Sequence, residues 1–573
     1  MPFVKSKLWN LFFREREKTD HVFIIIFSLL FGWFLVVGNE IQTTGTFWTL
    51  FEAPMEACFT LFLWIYYSAL VWFLVSAAWS FLDDYLEIKG RLVKQPKNKY
   101  LDRFCMALNS HPFRTTFLFF MILFTPYFVA YYPGIFMGDT KDLILQAYNL
   151  PEYTSNYLNL LDESIRLNQH HPVAHTMFLH LCIELGHRLA GSWNMGVFFY
   201  SMAQAMILFA AVGYAMTVLT QAKVPAKLRF GLLCYLALHP KIRNYVFLVS
   251  KDTMYASFFL FFILSFYGIL KDGTKNRKTA VVFLISTALM VLFRNDAKIF
   301  IAAALLVAAW KRKKIRKFCL LSGIVVLTGA SLYGSALTSM GITPGSRREM
   351  LSVPFQQTAR YMKEHGDEIT KEEYDAINAV LDAETIASEY DPDRADNVKA
   401  TFREDATREE IAAYFKTWWN MFLKHPETYI DATVCNIYGY FAPSGHLTAQ
   451  YPSASSKEYM KNTNLLGESL GMDFHHPESL NAYRILLFDG YALYCDIPAL
   501  RVVLMSFTYV WMLLLWAGYC VRQKKVQEFI ALLPMLFSIC IFLAGPCNGW
   551  YFRYLLPLAV ALPFLIVLER QRW

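Results

Sequence analysis

The stretch FLFFMILFTPYFVAYYPGIFMGDTKD, residues 117–142, predicts the fold class of this chain. It opens with an uncharged apolar run and closes with a Pro-Gly pair and two carboxylates, Asp139 and Asp142. Comparable apolar blocks recur along the sequence, and about 20 such residues span the hydrocarbon core of a bilayer as a helix. The chain is therefore predicted to be an all-α polytopic membrane protein.

The composition supports this class. Of the 573 residues, 55% are hydrophobic and 17% are charged, whereas a soluble domain has about 25% charged residues. The net charge of +8 does not indicate a nucleic-acid partner, because the lysines and arginines fall in short loops, as the positive-inside rule requires. The ten cysteines form no metal-type spacing, and a disulfide among Cys435, Cys495 and Cys547 stays an open alternative.

About twelve crossings are predicted from the apolar blocks. Their approximate bounds are 21–38, 57–82, 115–132, 195–219, 226–239, 253–270, 279–293, 297–310, 317–338, 501–520, 528–545 and 553–569. The first block is too long for a signal-peptide core and no small-residue cleavage site follows it, so it is predicted to be a retained anchor. The chain divides into an N-terminal membrane domain, 1–338, a polar region, 339–500, and C-terminal membrane helices, 501–573.

The basic clusters predict the orientation of the chain in the membrane. They follow every second predicted crossing, and the longest, KRKKIRK, spans Lys311 to Lys317. All of them fall on the side of the N-terminus, which the positive-inside rule makes cytoplasmic, together with the C-terminus. The apolar stretch 171–190 then cannot be a crossing. We expect an interfacial or re-entrant helix there, beside a covered cavity.

The polar region 339–500 lies outside in this scheme. The segments TKEEYDAINAVLD and TREEIAAYFKTWWNMFLKH have the periodicity of amphipathic helices, with Thr370 and Thr407 placed as helix starts. We expect a mainly helical extracytoplasmic domain.

Chemically reactive side chains collect in the outer loops, next to apolar blocks. Ionisable residues at the membrane edge mark a functional site by default, and a carboxylate in a partly desolvated cavity is expected to have a raised pKa and to act as a general base. For Asp139 the alternative is a helix N-cap before Thr140. The predicted catalytic loop, 133–170, and the residue after it supply the catalytic candidates Asp139, Asp142, His170 and His171.

A second set of residues on the same outer surface is predicted to bind substrate. Arginine binds phosphate bidentately and lysine binds it as a point charge, which predicts a phosphate clamp. The alternatives are snorkelling helix ends, local ion pairs and, for VPFQQTAR at 353–360, an ordinary contact between the outer domain and the membrane part. The set is Lys251, Asp252, Arg294, Asp296, Gln356, Gln357, Arg360 and Arg553.

A metal is an open alternative at the histidines. His171 and His175 are four residues apart and share a helix face, which is a spacing that metal sites use. The sequence places no third ligand beside them, so no cofactor is assigned and a divalent metal remains a hypothesis.

These features resemble the GT-C glycosyltransferases, integral-membrane enzymes that use polyprenyl-phosphate-linked sugars. The phrases YYPGIFMGDT, HHPVAHT, SVPFQQTARY and NIYGYF are also similar to an uncharacterised bacterial membrane family that resembles GT-C throughout its length. The sequence departs from the best-known GT-C pattern in two ways. Two crossings precede the one that leads into the acidic loop, and that loop has GDTKD where many members have adjacent acids.

The resemblance implies that Asp139 is the catalytic base or helps to bind a metal, and that Arg553 in WYFRYLLP or Arg294 in FRND lies near the lipid phosphate. It implies inverting transfer of a sugar from a polyprenyl-phosphate donor to an envelope glycan, lipid or protein at the bacterial cell membrane. Three alternatives stay open. They are a transporter or flippase of a lipid-linked saccharide, a membrane acyltransferase or polysaccharide polymerase with His170 or His171 as base, and a non-catalytic assembly protein.

Overall fold

The computed structural model describes residue 12 and residues 14–87, 99–150, 167–443, 457–545, 548–549 and 551–571. Within these ranges the backbone forms α-helices, short 3-10 turns and isolated β-bridges, and no β-strand. The prediction of an all-α chain is therefore confirmed for the part of the sequence that the structure describes.

The helices are numbered here in chain order. They are α1 (Lys18–Thr44), α2 (Pro54–Glu87), α3 (Lys99–Ser110), α4 (Pro112–Ala130), α5 (Gly138–Ala147), α6 (Val173–Ala190), α7 (Trp193–Gln221), α8 (Ala226–Leu238), α9 (Pro240–Phe247), α10 (Lys251–Asp272), α11 (Arg277–Phe293), α12 (Ala297–Lys311), α13 (Arg316–Ser339), α14 (Ser352–Glu364), α15 (Lys371–Asn378), α16 (Asp396–Ala400), α17 (Arg408–Lys424), α18 (Pro426–Ile437), α19 (Lys457–Leu470), α20 (Asn481–Asp496), α21 (Pro498–Leu504), α22 (Ser506–Arg522), α23 (Val526–Ala544) and α24 (Leu556–Gln571).

Seven of the described helices are long and apolar enough to span a bilayer, namely α1, α2, α4, α7, α10, α13 and α23. The pair α21 and α22 is bent by 78° and adds an eighth if the two count as one span. The chain is thus a multi-pass helical membrane protein, with seven or eight such helices where twelve crossings are predicted. The remaining predicted crossings correspond to α8, α11, α12 and α24, which have 13, 17, 15 and 16 residues.

Helix α10 forms the centre of the membrane part. Its segment YASFFLFFILSFYGIL is apolar on every face, and nearly all side chains from Asp252 to Leu270 are buried. It packs against α7, α11, α23 and α24. A helix that is hydrophobic all round belongs in a core. Its first two residues, Lys251 and Asp252, are therefore held in a fixed place at one end of the bundle.

The stretch 171–190, predicted to lie in the interface, forms the 18-residue helix α6 and is not among the helices that pass the spanning test. It packs lengthwise on α7, backbone against backbone. A Cβ atom on Gly186 would lie 2.1 Å from the backbone N of Gly196, and one on Gly196 would lie 2.4 Å from the Cα of Ile183. Glycine at both positions is what lets this helical hairpin close.

The polar region is helical, as its periodicity predicts. Phe355, Tyr361 and Tyr414 contribute to a separate apolar cluster there, and Thr370 and Thr407 are the N-caps of α15 and α17, as expected. Because buried aromatic residues hold these short helices together, the region has a core of its own beside the membrane part.

We expect Gly196→Ala to destabilise the protein strongly, because the new methyl group meets backbone atoms that no rotamer change can move. Overpacking of this kind costs about 1–3 kcal/mol or more. Gly231→Ala in α8 is the matched control, since a Cβ there has nothing within 4 Å and alanine is favoured over glycine in helices by up to about 1 kcal/mol. The two variants are compared by thermal unfolding in detergent, monitored by size-exclusion chromatography. Equal melting temperatures would contradict the close backbone contact between α6 and α7.

Candidate functional site

An ion-pair group joins three distant segments at one end of the bundle. The Nη2 of Arg553 lies 2.5 Å from Oδ2 of Asp139, and its Nε lies 3.5 Å from Oδ2 of Asp252. The side chains of Arg553, Asp139 and Asp252 are 15%, 21% and 4% exposed. The structure thus brings together the acidic loop, the start of α10 and the segment before α24, although more than 100 residues separate Asp139 from Asp252 and about 300 separate Asp252 from Arg553.

Backbone hydrogen bonds fix the acidic loop to the start of α10. The N–H of Ile135 donates to the carbonyl of Phe247 at 2.7 Å, and the N–H of Val249 donates to the carbonyl of Ile135 at 3.0 Å. The Thr140 hydroxyl donates to the carbonyl of Val249 at 2.7 Å. Asp139 therefore cannot shift without disturbing the segment that carries Asp252.

Gln204 of α7 holds the other side of this segment. Its buried Nε2 donates to the carbonyls of Val246 and Leu248, at 2.7 and 2.9 Å. Buried carbonyl groups need such partners, because an unpaired one is costly in a low-dielectric interior. One amide side chain in the middle of an apolar helix thus supports the loop between α9 and α10.

Two helices begin at the ion-pair group. Helix α10 begins after Ser250, whose hydroxyl accepts from the N–H of Asp252, and α5 begins at Gly138 with Met137 as its N-cap. The alternative in which Asp139 caps a helix at Thr140 is wrong, because Asp139 lies inside the first turn and faces Arg553. Helix N-termini attract anions, so both helices add positive potential to the group.

The histidines approach the group from the start of α6. Nδ1 of His171 lies 3.3 Å from Nζ of Lys251, and the ring of His170 meets that of His171 edge to face, with 4.8 Å between centroids. Nε2 of His175 lies 2.6 Å from the hydroxyl of Tyr200, which donates to the carbonyl of Ser250 at 2.8 Å. His171 therefore contacts the ammonium group of Lys251, whereas His175 acts through Tyr200 to support the backbone at Ser250.

The pKa of Asp139 is shifted against the sequence-based expectation. Burial alone would raise it, but Arg553, together with His171 and Lys251, holds the pKa of this carboxyl group well below its usual range. The physical reason is that a contact ion pair outweighs the loss of hydration. Asp139 is thus ionised at neutral pH, and it becomes a stronger base when another anion engages Arg553.

Burial keeps the two histidines neutral. It lowers the pKa of His170 to about 4 and that of His171 well below the usual value, with Lys251 adding to both shifts. In the neutral form, Nδ1 of His171 accepts from the Lys251 ammonium group. This contact places the ring proton on Nε2.

Arg294 and Asp296 lie next to the group but satisfy each other. Nε of Arg294 donates to Oδ1 of Asp296 at 2.9 Å, as the local-ion-pair alternative predicts. The guanidinium group of Arg294 lies between the rings of Tyr255 and Tyr554, 5.0 and 5.6 Å from their centroids. Tyr554 directly follows Arg553 in the sequence, so the Arg294–Asp296 pair lies next to the Arg553–Asp139 pair.

Asp142 is fully buried in α5, and its Oδ1 lies 3.4 Å from Nζ of Lys141. The three other predicted binding residues, from VPFQQTAR, form contacts away from the ion-pair group. Gln356 donates to the carbonyl of Asp391 and Gln357 donates to Thr433, both at 2.8 Å.

Arg360, the third of these residues, contacts Asp431 and donates to the carbonyl of Gly45 at 3.3 Å. Gly45 is the C-cap of α1. Arg360 thus forms the alternative contact between the polar region and the membrane part, whereas the hydrogen bonds of Gln356 and Gln357 stay inside the polar region.

Two features near Arg553 were not predicted. The buried Lys241 of α9 lies 4.8 Å from the ring centroid of Phe552, and burial lowers its pKa to about 8. Its signal in the sequence was a lysine directly after a proline, between two apolar blocks. Nζ of Lys399 lies 2.8 Å from both Glu349 and Asp396, and no pattern in the sequence indicated this pairing.

Cys435 and Cys495 are free thiols. Cys547 lies outside the described residues, as does Trp550, which is part of the motif around Arg553. Around the ion-pair group, the described residues offer no set of three metal-ligating side chains with donor atoms within 4.8 Å of one another. The group is instead suited to binding an anion between cations and to accepting a proton at a carboxylate.

An open groove of about 570 Å³ lies beside the group, against α13. It is lined by Gln169, Lys298, Ser331, Gly334, Thr338 and Pro344, among others. Gln169 precedes His170, and its Nε2 donates to the carbonyl of Ile342 at 3.2 Å. Asp139 itself is covered by Arg553, so the groove is a neighbouring space and not the pocket above the carboxylate.

Comparison with known proteins shows one family. The model of a family of unknown function, DUF6020, matches residues 14–572. The chain therefore belongs to this family. No curated protein and no solved structure matches the chain.

We expect the protein to lose stability as the pH falls from about 6.5 towards 4. An unfolded histidine binds a proton near pH 6.5, whereas folded His170 does so only near its pKa of about 4. Between these values the unfolded state binds more protons, so the free energy of unfolding falls by up to about 1.4 kcal/mol per pH unit for each such histidine. Thermal unfolding at constant ionic strength measures this slope. His170→Asn should reduce it, and equal slopes in the variant and the wild type would contradict the assignment.

Proposed function

We propose that the protein is a membrane glycosyltransferase that moves a sugar from a polyprenyl-phosphate-linked donor to an extracytoplasmic acceptor. The observation that carries this proposal is the meeting of Asp139, Asp252, Lys251 and Arg553 at two helix N-termini beside neutral His171. A base and phosphate-binding cations must share one site for such a transfer, and the contacts of two carboxylates with Arg553 beside Lys251 support that assignment. The resemblance to GT-C enzymes supports the same assignment.

The donor phosphate belongs between Lys251 and Arg553 in this proposal. Lys251 contacts a neutral histidine and so keeps its full charge for an anion. Arg553 has a planar group that binds phosphate bidentately once it leaves Asp139. The polyprenyl chain then runs along apolar helix surfaces such as that of α13, where Leu321 and Leu332 are 64% and 71% exposed.

The transfer step uses Asp139 as general base. The acceptor hydroxyl or amine attacks the anomeric carbon, the bond from that carbon to the phosphate oxygen breaks, and the acceptor proton passes to Asp139. The phosphate leaves with the electron pair and is stabilised by Arg553 and Lys251 as its charge grows. A single displacement of this kind inverts the anomeric configuration and needs one base.

The proposed orientation places this site at the outer leaflet of the bacterial cell membrane, with both termini in the cytoplasm. The bias of the basic clusters supports it. The acceptor is then an envelope glycan, lipid or protein. No divalent metal is assigned to the reaction, because the carboxylates of the site contact Arg553.

We expect Asp139→Asn to lower sugar transfer by at least about 100-fold, the usual contribution of a general base. Donor binding should be retained or strengthened, because Arg553 is then released from its ion pair. Asp473→Asn is the control, since the side chain of Asp473 is 82% exposed and pairs with His475 instead of an arginine. The assay uses purified protein, a set of polyprenyl-phosphate-linked hexoses, and the lipids that co-purify with the protein, identified by mass spectrometry.

Three outcomes of that assay separate the hypotheses. Loss of sugar transfer in Asp139→Asn with intact donor binding supports Asp139 as the general base. Transfer at the wild-type rate in Asp139→Asn would falsify the assignment of Asp139. Movement of labelled lipid across proteoliposomes without transfer indicates a flippase instead.

We expect Lys251→Gln to weaken donor binding by about tenfold or more, which corresponds to about 1.4 kcal/mol. Glutamine keeps a hydrogen-bond donor near His171 but removes the charge, so the fold should tolerate it. Lys298→Gln, on the neighbouring groove, is the matched control. Equal donor affinities in the two variants and the wild type, measured by titration with a fluorescent polyprenyl phosphate, would exclude the clamp.

A further inference from the structure

A second cluster of chemically reactive side chains lies in the polar region, in a part of the chain that the proposed transfer does not use. It consists of His365 at the end of α14, Glu368 in the turn that follows, His425 at the end of α17 and Glu427 at the start of α18. One donor atom from each of His365, His425 and Glu427 lies within 4.8 Å of the others. Two segments that are distant in sequence, the end of α14 and the junction of α17 with α18, therefore present metal-ligating groups at one point.

The outer hydrogen bonds of the histidines match those of metal ligands. Nε2 of His425 lies 2.9 Å from Oε2 of Glu368, and its Nδ1 lies 2.9 Å from Oε1 of Glu427. Nε2 of His365 lies 3.0 Å from the hydroxyl of Thr428. A histidine that binds a metal usually donates its second N–H to a carboxylate or another acceptor, which orients the ring. Both imidazole groups already have such a partner.

The charges of the cluster also favour a cation. Glu368 and Glu427 form ion pairs with histidine side chains, and none with lysine or arginine among the described residues. When both histidines are neutral, two carboxylates face each other across the rings with no compensating charge. A divalent ion supplies that charge.

We propose that His365, His425 and Glu427 form a zinc-binding site in the polar region, with Glu368 orienting His425. Two imidazole nitrogens and one carboxylate oxygen are a ligand set that zinc prefers. The proposal is independent of the transfer reaction.

Binding of the ion requires a small local rearrangement. The two rings stack with 3.7 Å between centroids and 11° between planes, whereas a metal ion lies in the plane of each imidazole group that binds it. One ring must therefore turn about χ2, a torsion with broad freedom in histidine. The side chains of His365, His425 and Glu427 are 21%, 22% and 48% exposed, so solvent reaches the cluster and Glu427 has the most room to move.

The ion would connect the ends of α14, α17 and α18 above Tyr361, whose ring centroid lies 5.2 Å from that of His365 and 5.7 Å from that of His425. Tyr361 belongs to the apolar cluster of the polar region. A metal at this point therefore stabilises the fold of that region, because an ion that binds only the folded chain raises its stability by mass action.

The experiment uses the full-length protein, purified in detergent and treated with a chelator. Titration with Co²⁺ should produce the visible d–d absorption of a four-coordinate ion at one equivalent per chain, and Zn²⁺ should displace it and raise the melting temperature. Binding should weaken as the pH falls, because protons compete for the imidazole nitrogens. His425→Ala should abolish the band, and Glu427→Gln should weaken binding at least tenfold.

His475→Ala is the matched control, because exposed His475 also contacts a carboxylate, that of Asp473 at 3.2 Å, in a different part of the chain. The control variant should bind Co²⁺ and Zn²⁺ as the wild type does. Absence of saturable binding, or binding that is equally strong in His425→Ala, overturns the proposal. Because the variants are read by absorption and melting temperature, the result stands whether or not the protein transfers sugar.

Discussion

The partly buried ion pair between Arg553 and Asp139, with Asp252 as its second acceptor, is the interaction on which the site depends. The pair is not a strong source of stability, because the lost hydration of both charges offsets much of their attraction. Its partners are nevertheless hard to separate, since loss of one leaves the other charge uncompensated where little solvent reaches it. The pair therefore acts as a geometric constraint that requires the acidic loop, α10 and the C-terminal segment to meet.

The rest of the bundle satisfies this constraint through rigid support. Helix α10 is apolar on all faces and buried, so its first turn has one position. Gln204 and Thr140 hold the segment before it by side-chain hydrogen bonds to carbonyl groups. Side chains with few rotamers on well-packed helices can place charged groups more exactly than a mobile loop can. The same support explains why an amide is tolerated in the middle of α7.

The sequence was informative where physical chemistry leaves few choices. Long uncharged runs predict helices in a membrane, and acids and cations beside such runs identified Asp139, Lys251, Asp252 and Arg553 before any contact was known. The sequence was not informative where the role of a charged side chain depends on which residue it contacts in the fold. The pKa of Asp139 moved down instead of up because Arg553 lies 2.5 Å away. Arg360 is equally basic, but it meets Asp431 and the end of α1. Twelve spans were predicted, whereas seven or eight of the described helices are long and apolar enough to cross a membrane, because an apolar block shows its composition and not the length of its helix.

Charge balance links this geometry to the proposed reaction. With neutral histidines, Arg553 and Lys251 balance Asp139 and Asp252, so the group without substrate carries no net charge. A phosphodiester donor adds one negative charge, and the leaving phosphate gains a second one as the bond to the sugar breaks. If the acceptor proton goes to Asp139 in the same step, that carboxylate loses its charge as the phosphate gains one. The net charge of the site then stays constant, and Arg553, which no longer faces a charged Asp139, holds the leaving phosphate more strongly than it held the donor phosphate. In the proposed reaction, Asp139 therefore contacts Arg553 while no substrate is bound, and the donor phosphate takes over that contact when it binds.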